Sequence, residues 1–158
     1  MSKTAIFPGS FDPFTAGHED IVRRGLAIFD RIIVAVGYNI EKKGLLAADQ
    51  RIRLISDVFE DEPRIEVIVY EGLTVDICRD LGVNFMLRGV RSSVDFEYER
   101  SIDYVNRMLS AEIENVLLMT DPSNAIISSS VVRELIAHGG DTSIFMPEGI
   151  KIENYLDK

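Results

Sequence analysis

Short apolar runs alternate with amphipathic stretches along the whole chain. Thr4 to Phe7 reads as a short buried strand, and Gly9 to Ala16 as a turn-rich loop. From His18 the apolar residues fall at Ile21, Val22, Leu26 and Phe29, the spacing of one helix face. Arg31 to Gly37 (RIIVAVG) is β-branched and nearly all apolar, which marks a central strand. A loop (YNIEKKGL) leads to a second helix marked by Leu54, Ile55, Val58 and Phe59. Arg64 to Tyr70 is a third strand, and Thr74 to Leu81 a short helix closed by Gly82. The run NFMLRGV is a fourth strand stopping at Arg88-Gly89, followed by a long helix from about Val94 to Leu109. Asn115 to Thr120 is a fifth strand. Ser128-Ser129-Ser130 then cap a helix that turns Val131, Val132, Leu135 and Ile136 inward and ends at Gly139-Gly140. A last short helix is expected near Pro147.

Strands that alternate with helices, and that look buried on both faces, predict an α/β fold. The expected form is a Rossmann-like, doubly wound parallel sheet of roughly five strands. The 158 residues fit a single domain over positions 1–158. Ligands on such sheets bind beyond the carboxyl ends of the strands, near the switch in strand order. The residues that follow each strand are therefore the candidates. They are Gly9, Ser10, Phe11 and Gly17-His18 after the first, and Lys42 and Lys43 after the second. Gly72, Leu73 and Thr74 follow the third, Arg88, Gly89, Val90 and Arg91 the fourth, and the loop Asn124 to Ser130 the fifth.

Each of these has an ordinary explanation when taken alone. A histidine in a first helical turn is usually a surface residue, lysines in a polar loop are usually solvated, and serines before a helix cap it. Arg88 is less ordinary, because its neighbours Met86 and Leu87 are apolar and a sheltered arginine needs an anionic partner. What decides is that all of them fall on one predicted edge, where helix N-termini add free N–H groups. Cations and bare amides gathered this way suit a polyphosphate.

Charge sharpens that reading. A net charge of −9 argues against broad binding to nucleic acid, which needs a basic face, but a few local cations can still dominate a cleft. Cys78, the one cysteine, has no partner for an internal disulfide and reads as core on a short helix, which suits a reducing, cytoplasmic setting. No signal peptide is read at Met1 to Ser10, and no apolar run approaches the ~20 residues of a membrane span. No repeat or low-complexity tract is found. No Cys/His cluster suggests zinc. The phosphate-binding patterns of nicotinamide dehydrogenases and P-loop ATPases are both missing. His138 falls in the last turn of its helix, where cap and dipole explain it, and Asp95 to Arg100 (DFEYER) reads mainly as exposed helix, with Glu99 able to face the cleft.

Three stretches carry a resemblance. PGSFDPFTAGH resembles the T-x-G-H signature of the nucleotidyltransferase branch of the HIGH superfamily. IISSSVVRE, Ile126 to Glu134, resembles that group's second signature. LRGVRSSVDFEYE, Leu87 to Glu99, is similar to the phosphopantetheine adenylyltransferases of coenzyme A synthesis, and the likeness runs over nearly the whole chain. The resemblance implies transfer of AMP from ATP to 4′-phosphopantetheine, giving dephospho-coenzyme A and pyrophosphate. It implies that Ser10 touches both substrates and that Phe11 lies beside it on the ATP side. His18 would stabilise the transition state, with Lys42 and Arg91 completing the catalytic set. Lys42, Thr74 and Arg88 would bind phosphopantetheine. Gly89, Val90, Arg91 and Glu99, with Asn124, Ala125, Ile126, Ile127, Ser128, Ser129 and Ser130, would bind ATP. It further implies Mg²⁺ carried with ATP, a homohexamer and feedback binding of coenzyme A. Relatives often carry an aromatic at the position of Asn124, near the adenine, so a stack on the base is not implied there. Two other readings stay open on residues alone. One is a sister transferase acting on nicotinamide mononucleotide or using CTP; the other is a non-catalytic nucleotide sensor.

Overall fold

The short apolar runs bury their side chains by pairing with one another and packing helices on both faces. In the computed structural model, which describes residues 2–157, they form one five-stranded parallel sheet in the order β3-β2-β1-β4-β5. The strands are β1 (Thr4–Gly9), β2 (Arg31–Gly37), β3 (Ile65–Tyr70), β4 (Phe85–Val90) and β5 (Glu114–Met119). The helices are α1 (Ala16–Gly25), α2 (Ala48–Val58), α3 (Thr74–Leu81), α4 (Ser93–Leu109) and α5 (Ser129–Ala137), with short 3₁₀ turns at Pro122–Asn124, Ser143–Phe145 and Ile152–Asn154. This is the doubly wound, Rossmann-like α/β arrangement, and its switch point lies between β1 and β4.

Alternation along the central strands divides the core. Ala5 and Phe7 of β1, Ile32, Val34 and Val36 of β2 and Leu87 of β4 pack with Val22 of α1, Leu54 and Ile55 of α2, Val132 of α5 and the C-terminal Ile152 and Tyr155. Ile6, Ile33, Ala35 and Met86 face the other way, onto Val75 and Cys78 of α3 and onto Ile113. Each fully buried Leu, Ile or Val there stabilises the fold by ~1.5–3 kcal/mol. Cys78 is thus core, as expected. Among the described residues no helix is long and apolar enough to cross a membrane.

The cleft originates in the sheet itself. β1 runs two residues past the expected Phe7, and its ladder to β2 continues to Gly9↔Val36. Its ladder to β4 stops at Ile6↔Met86. Pro8 has no N–H to extend that ladder, so the two strands part at the switch point.

Four expectations are corrected. Burial on both faces holds for β1 and β2, whereas β3 and β5 are edge strands and only partly buried. Val131 is exposed rather than inward, because α5 presents Val132 to the core. Of the three serines only Ser128 caps α5, accepting from the Val131 N–H at 3.2 Å, while Ser129 and Ser130 are its first two residues. No helix starts at Pro147: Pro147 to Ile150 forms a turn, closed by Ile150 N–H to Pro147 C=O at 3.0 Å with Gly149 at φ +79°.

Candidate active site

His18 is the third residue of α1, and its ring does what a glutamate or glutamine does at that position. Thr15 caps the helix, and His18 Nδ1 accepts the Thr15 backbone N–H at 3.0 Å, completing a capping box. A backbone N–H can only donate, so Nδ1 is an acceptor and the neutral ring carries its proton on Nε2. Nε2 has no protein partner among the described residues, and the ring lines a cleft, so that N–H is available to a ligand. Burial lowers the His18 pKa from 6.5 to about 3, and the charges of Arg88 and Arg91 push the same way.

An aromatic cage holds the ring. Phe11 meets it edge-on at 5.1 Å between centroids, Phe14 lies at 5.2 Å and Phe7 at 6.3 Å. Phe11 reaches that place with a left-handed backbone (φ +50°), a conformation that costs a side-chain-bearing residue ~1–2 kcal/mol. Its ring covers Gly9 so closely that a Cβ there would sit 2.7 Å from the ring edge, which explains the glycine. Gly17 differs: a Cβ would meet Thr15 Oγ1 at 3.6 Å and Ile127 at 3.9 Å, both ordinary contacts. No protein atom demands glycine at 17, and the space it leaves belongs to the cleft.

Arg88 has the anionic partner its setting requires. Its Nε donates to both Glu99 carboxylate oxygens at 3.0 Å, Nη2 donates to Glu99 at 2.8 Å, and Nη1 donates to Pro8 C=O at 2.5 Å. The guanidinium thus bridges the gap between β1 and β4, with one N–H on each terminal nitrogen left over. Arg91 pairs with Asp95 at 3.0 Å and donates to Ile127 C=O at 3.2 Å. Burial works to raise the Asp95 pKa, but hydrogen bonds from the Arg91 side chain and backbone outweigh it and hold the carboxyl below its ordinary value. Ser129 donates to Pro13 C=O at 2.8 Å, docking α5 on the loop after β1.

These side chains line two adjoining hollows. The first, of about 360 Å³, is lined by Ser10, Phe11, His18, Gly89, Arg91, Asn124, Ile127, Ser128, Ser129 and Ser130, with Asp12, Thr15, Tyr98 and Arg133. The second, of about 340 Å³, is lined by Lys42, Tyr70, Thr74, Met86, Ile102 and Asn106. Pro8, Gly9, Ser10, Arg88 and Glu99 belong to both. Thr74 shares a hydrogen bond with Tyr70 at 2.8 Å on the wall of the second. Val90, Ala125 and Ile126 line neither, and Ile126 is 72% exposed; Lys43 lines neither as well.

Arg133 was not among the residues expected in the site. It donates to Asp12 C=O at 2.8 Å and to Ser130 Oγ at 3.1 Å. Its signal was a cation one turn beyond the serines, at the i,i+3 spacing that puts it beside Ser130. Tyr98 and Asp12 lie within the stretches that carry the resemblance, but their spacing alone does not set them apart from exposed helix and turn residues.

Two anion-sized hollows meeting at the switch point of a doubly wound sheet, with a neutral imidazole donor in one, belong to the nucleotidyltransferase class. The profile of the cytidylyltransferase-like family matches residues 6–135. Phosphopantetheine adenylyltransferase of Flavobacterium psychrophilum is 50% identical over 151 residues, covering 96% of this chain and 99% of its own length. That of Porphyromonas gingivalis is 51% identical over 149 residues, covering 94% and 97%. That of Leuconostoc citreum is 47% identical over 145 residues, covering 91% of each. The chain belongs to the phosphopantetheine adenylyltransferase family.

Proposed function

We propose that this chain, as one nucleotidyltransferase domain, moves the adenylyl group of ATP to 4′-phosphopantetheine, giving dephospho-coenzyme A and pyrophosphate. The observation that carries the reading is the pair of adjoining hollows sharing Ser10 and Arg88, one holding His18 and the other Lys42 and Thr74. In this reaction a phosphate oxygen of phosphopantetheine attacks the α-phosphorus of ATP in line. The bond from that phosphorus to the bridging oxygen breaks, and pyrophosphate leaves with the electron pair. No covalent enzyme intermediate forms. The nucleophile is already an anion, so no general base is needed, and catalysis comes from positioning and charge neutralisation.

In this mechanism His18 donates from Nε2 to an α- or β-phosphate oxygen. Lys42 and Arg88 hold the incoming phosphate against its repulsion by ATP. Arg91, Ser129 and Ser130 hold the β- and γ-phosphates, and Glu99, Asn124, Ile127 and Ser128 complete the nucleotide site. The carboxylates in the first hollow already have partners: Asp12 takes backbone amides, Asp95 takes Arg91 and Glu99 takes Arg88. Among the described residues no group of three or more His, Cys, Asp or Glu could hold a metal. That donor set suits Mg²⁺ carried by the triphosphate and water, where it would neutralise phosphate charge.

The decisive experiment is pyrophosphate release. Wild-type protein with ATP and phosphopantetheine should release it, and CTP in place of ATP, or nicotinamide mononucleotide as acceptor, should not. No release with the first pair would sink the proposal.

The family resemblance implies a homohexamer, and α4 offers a face that such self-association could cover. Its positions Asp95, Glu99, Ile102, Asp103 and Asn106 are partly buried, while Val94 (76% exposed), Val105 and Met108 (87% exposed) face outward. Apolar area of this kind on one helix face is the mark of an interface. Sedimentation equilibrium should give six chains per particle, and Met108→Glu should give smaller species. Free Cys78 suits a cytoplasmic enzyme.

A further inference from the structure

Behind the shared rim lies a buried ion pair that the mechanism above does not use. Asp12 and Arg51 keep only 10% and 8% of their side chains exposed, with Arg51 Nε 3.5 Å from Asp12 Oδ1. Each has a second set of partners. Asp12 accepts the backbone N–H groups of Leu45 and Leu46, both at 2.8 Å. Arg51 donates from Nε to Leu46 C=O at 2.9 Å and from Nη1 to Ser10 C=O at 3.0 Å. Arg51 stands on α2, Asp12 and Ser10 on the loop after β1, and Leu45 and Leu46 at the end of the loop that carries Lys42. Gly44 passes directly over the pair: a Cβ there would press on Arg51 Nη2 and lie 2.5 Å from Asp12 Oδ2.

We infer that Asp12 and Arg51 are positioning residues that lock the Ser10 loop to the Lys42 loop, and so fix the separation of the two phosphates that must meet. The inference rests on the function proposed above. The logic is geometric. Ser10 and His18 border the first hollow, Lys42 borders the second, and the only covalent path between these loops runs through β2 and α1. A charge pair gripping both loops by their backbones sets the distance between them without touching substrate. Because it is buried, water does not compete for its hydrogen bonds. In-line transfer is sensitive to such a distance: ~1 Å of misplacement can cost about 100-fold in rate.

Three variants test it. Arg51→Met removes the grip, Arg51→Lys keeps a charge that can reach one of the two carbonyls, and Gly44→Ala pushes on the pair from outside while leaving every charged group in place. Arg51→Met and Gly44→Ala are expected to lower kcat by about 10- to 100-fold with KM for ATP nearly unchanged. Arg51→Lys should recover part of the loss. Amide hydrogen exchange at Leu45 and Leu46 should quicken in Arg51→Met and Gly44→Ala, with the central strands still protected. A lower melting temperature with unchanged kcat in both would make the pair merely structural and overturn the inference. If the wild-type protein releases no pyrophosphate, the functional reading falls by itself. Exchange then decides: unchanged protection at Leu45 and Leu46 overturns the lock, and lost protection upholds the coupling of the loops.

Discussion

His18→Gln should lower kcat by about 10²- to 10³-fold while leaving the KM for ATP within a few-fold of wild type. Glutamine is the informative replacement because His18 has two jobs on opposite sides of its ring. Nδ1 closes the capping box on the Thr15 N–H, and Nε2 offers a proton to the cleft. Glutamine at this helical position can still accept the Thr15 N–H, as Gln50 does for the Ala47 N–H at 2.7 Å in α2. It cannot at the same time present a rigid donor inside the Phe7, Phe11 and Phe14 cage. His18→Ala loses both jobs and should cost about 1 kcal/mol of stability besides the rate. Full turnover in His18→Gln would reduce the histidine to a cap.

The protonation state gives a second handle on the same residue. With its pKa brought to about 3 by burial and by Arg88 and Arg91, His18 of the free enzyme stays neutral over pH 5 to 8 and should leave no inflection in kcat/KM there. Its effect on stability has the opposite sign to that of a salt-bridged histidine. The unfolded chain takes up the proton near 6.5, and the folded chain does so only near 3. Stability is therefore full above about 6.5 and falls as pH drops toward 3. His18→Gln should lose less stability than wild type over that window.

The central elements of the fold were legible because their signals are local. β2 and α3 have the expected bounds, since a continuous β-branched run and a glycine at a C-cap need no tertiary information. Edge status is different: β3 and β4 look alike as sequence, and only strand order makes β3 an edge. The Pro147 turn shows the same limit, because a proline that can start a helix can also start a turn, and Gly149 settles which. At the site, strand ends pointed to His18, Lys42, Thr74, Arg88 and the loop Asn124–Ser130. The partners of those residues were not visible. Nothing near Arg88 in the sequence announces that Glu99 will meet it across the β4–α4 connection. Asp12 and Arg51 are 39 positions apart and meet only when β1 and β2 pair. α4 was ambiguous for a further reason: its apolar residues have helical spacing whichever way they face, and only the packed chain shows that the stripe turned in is mainly polar, with Ile102 its apolar member.

The Arg88–Glu99 pair makes the other large prediction, because two effects there can be separated. Arg88→Met leaves the Glu99 carboxylate, 10% exposed, without its cation, and leaves Pro8 C=O without its donor. Breaking a buried pair from one side costs ~3–5 kcal/mol, and the 26% exposure of Arg88 places this case toward the lower figure. Phosphopantetheine should also bind about 10- to 100-fold more weakly, the worth of a hydrogen bond to a charged group. Adding Glu99→Gln to Arg88→Met removes the orphaned charge, so most of the lost stability should return. Affinity for phosphopantetheine, measured by calorimetry without ATP, should not return with it. The guanidinium is gone in both variants, and it is the guanidinium that has an N–H to spare on each terminal nitrogen for the arriving phosphate. Wild-type affinity in the double variant would mean that Arg88 serves only to neutralise Glu99, and the phosphate would then have to be held by Lys42 and Thr74 alone.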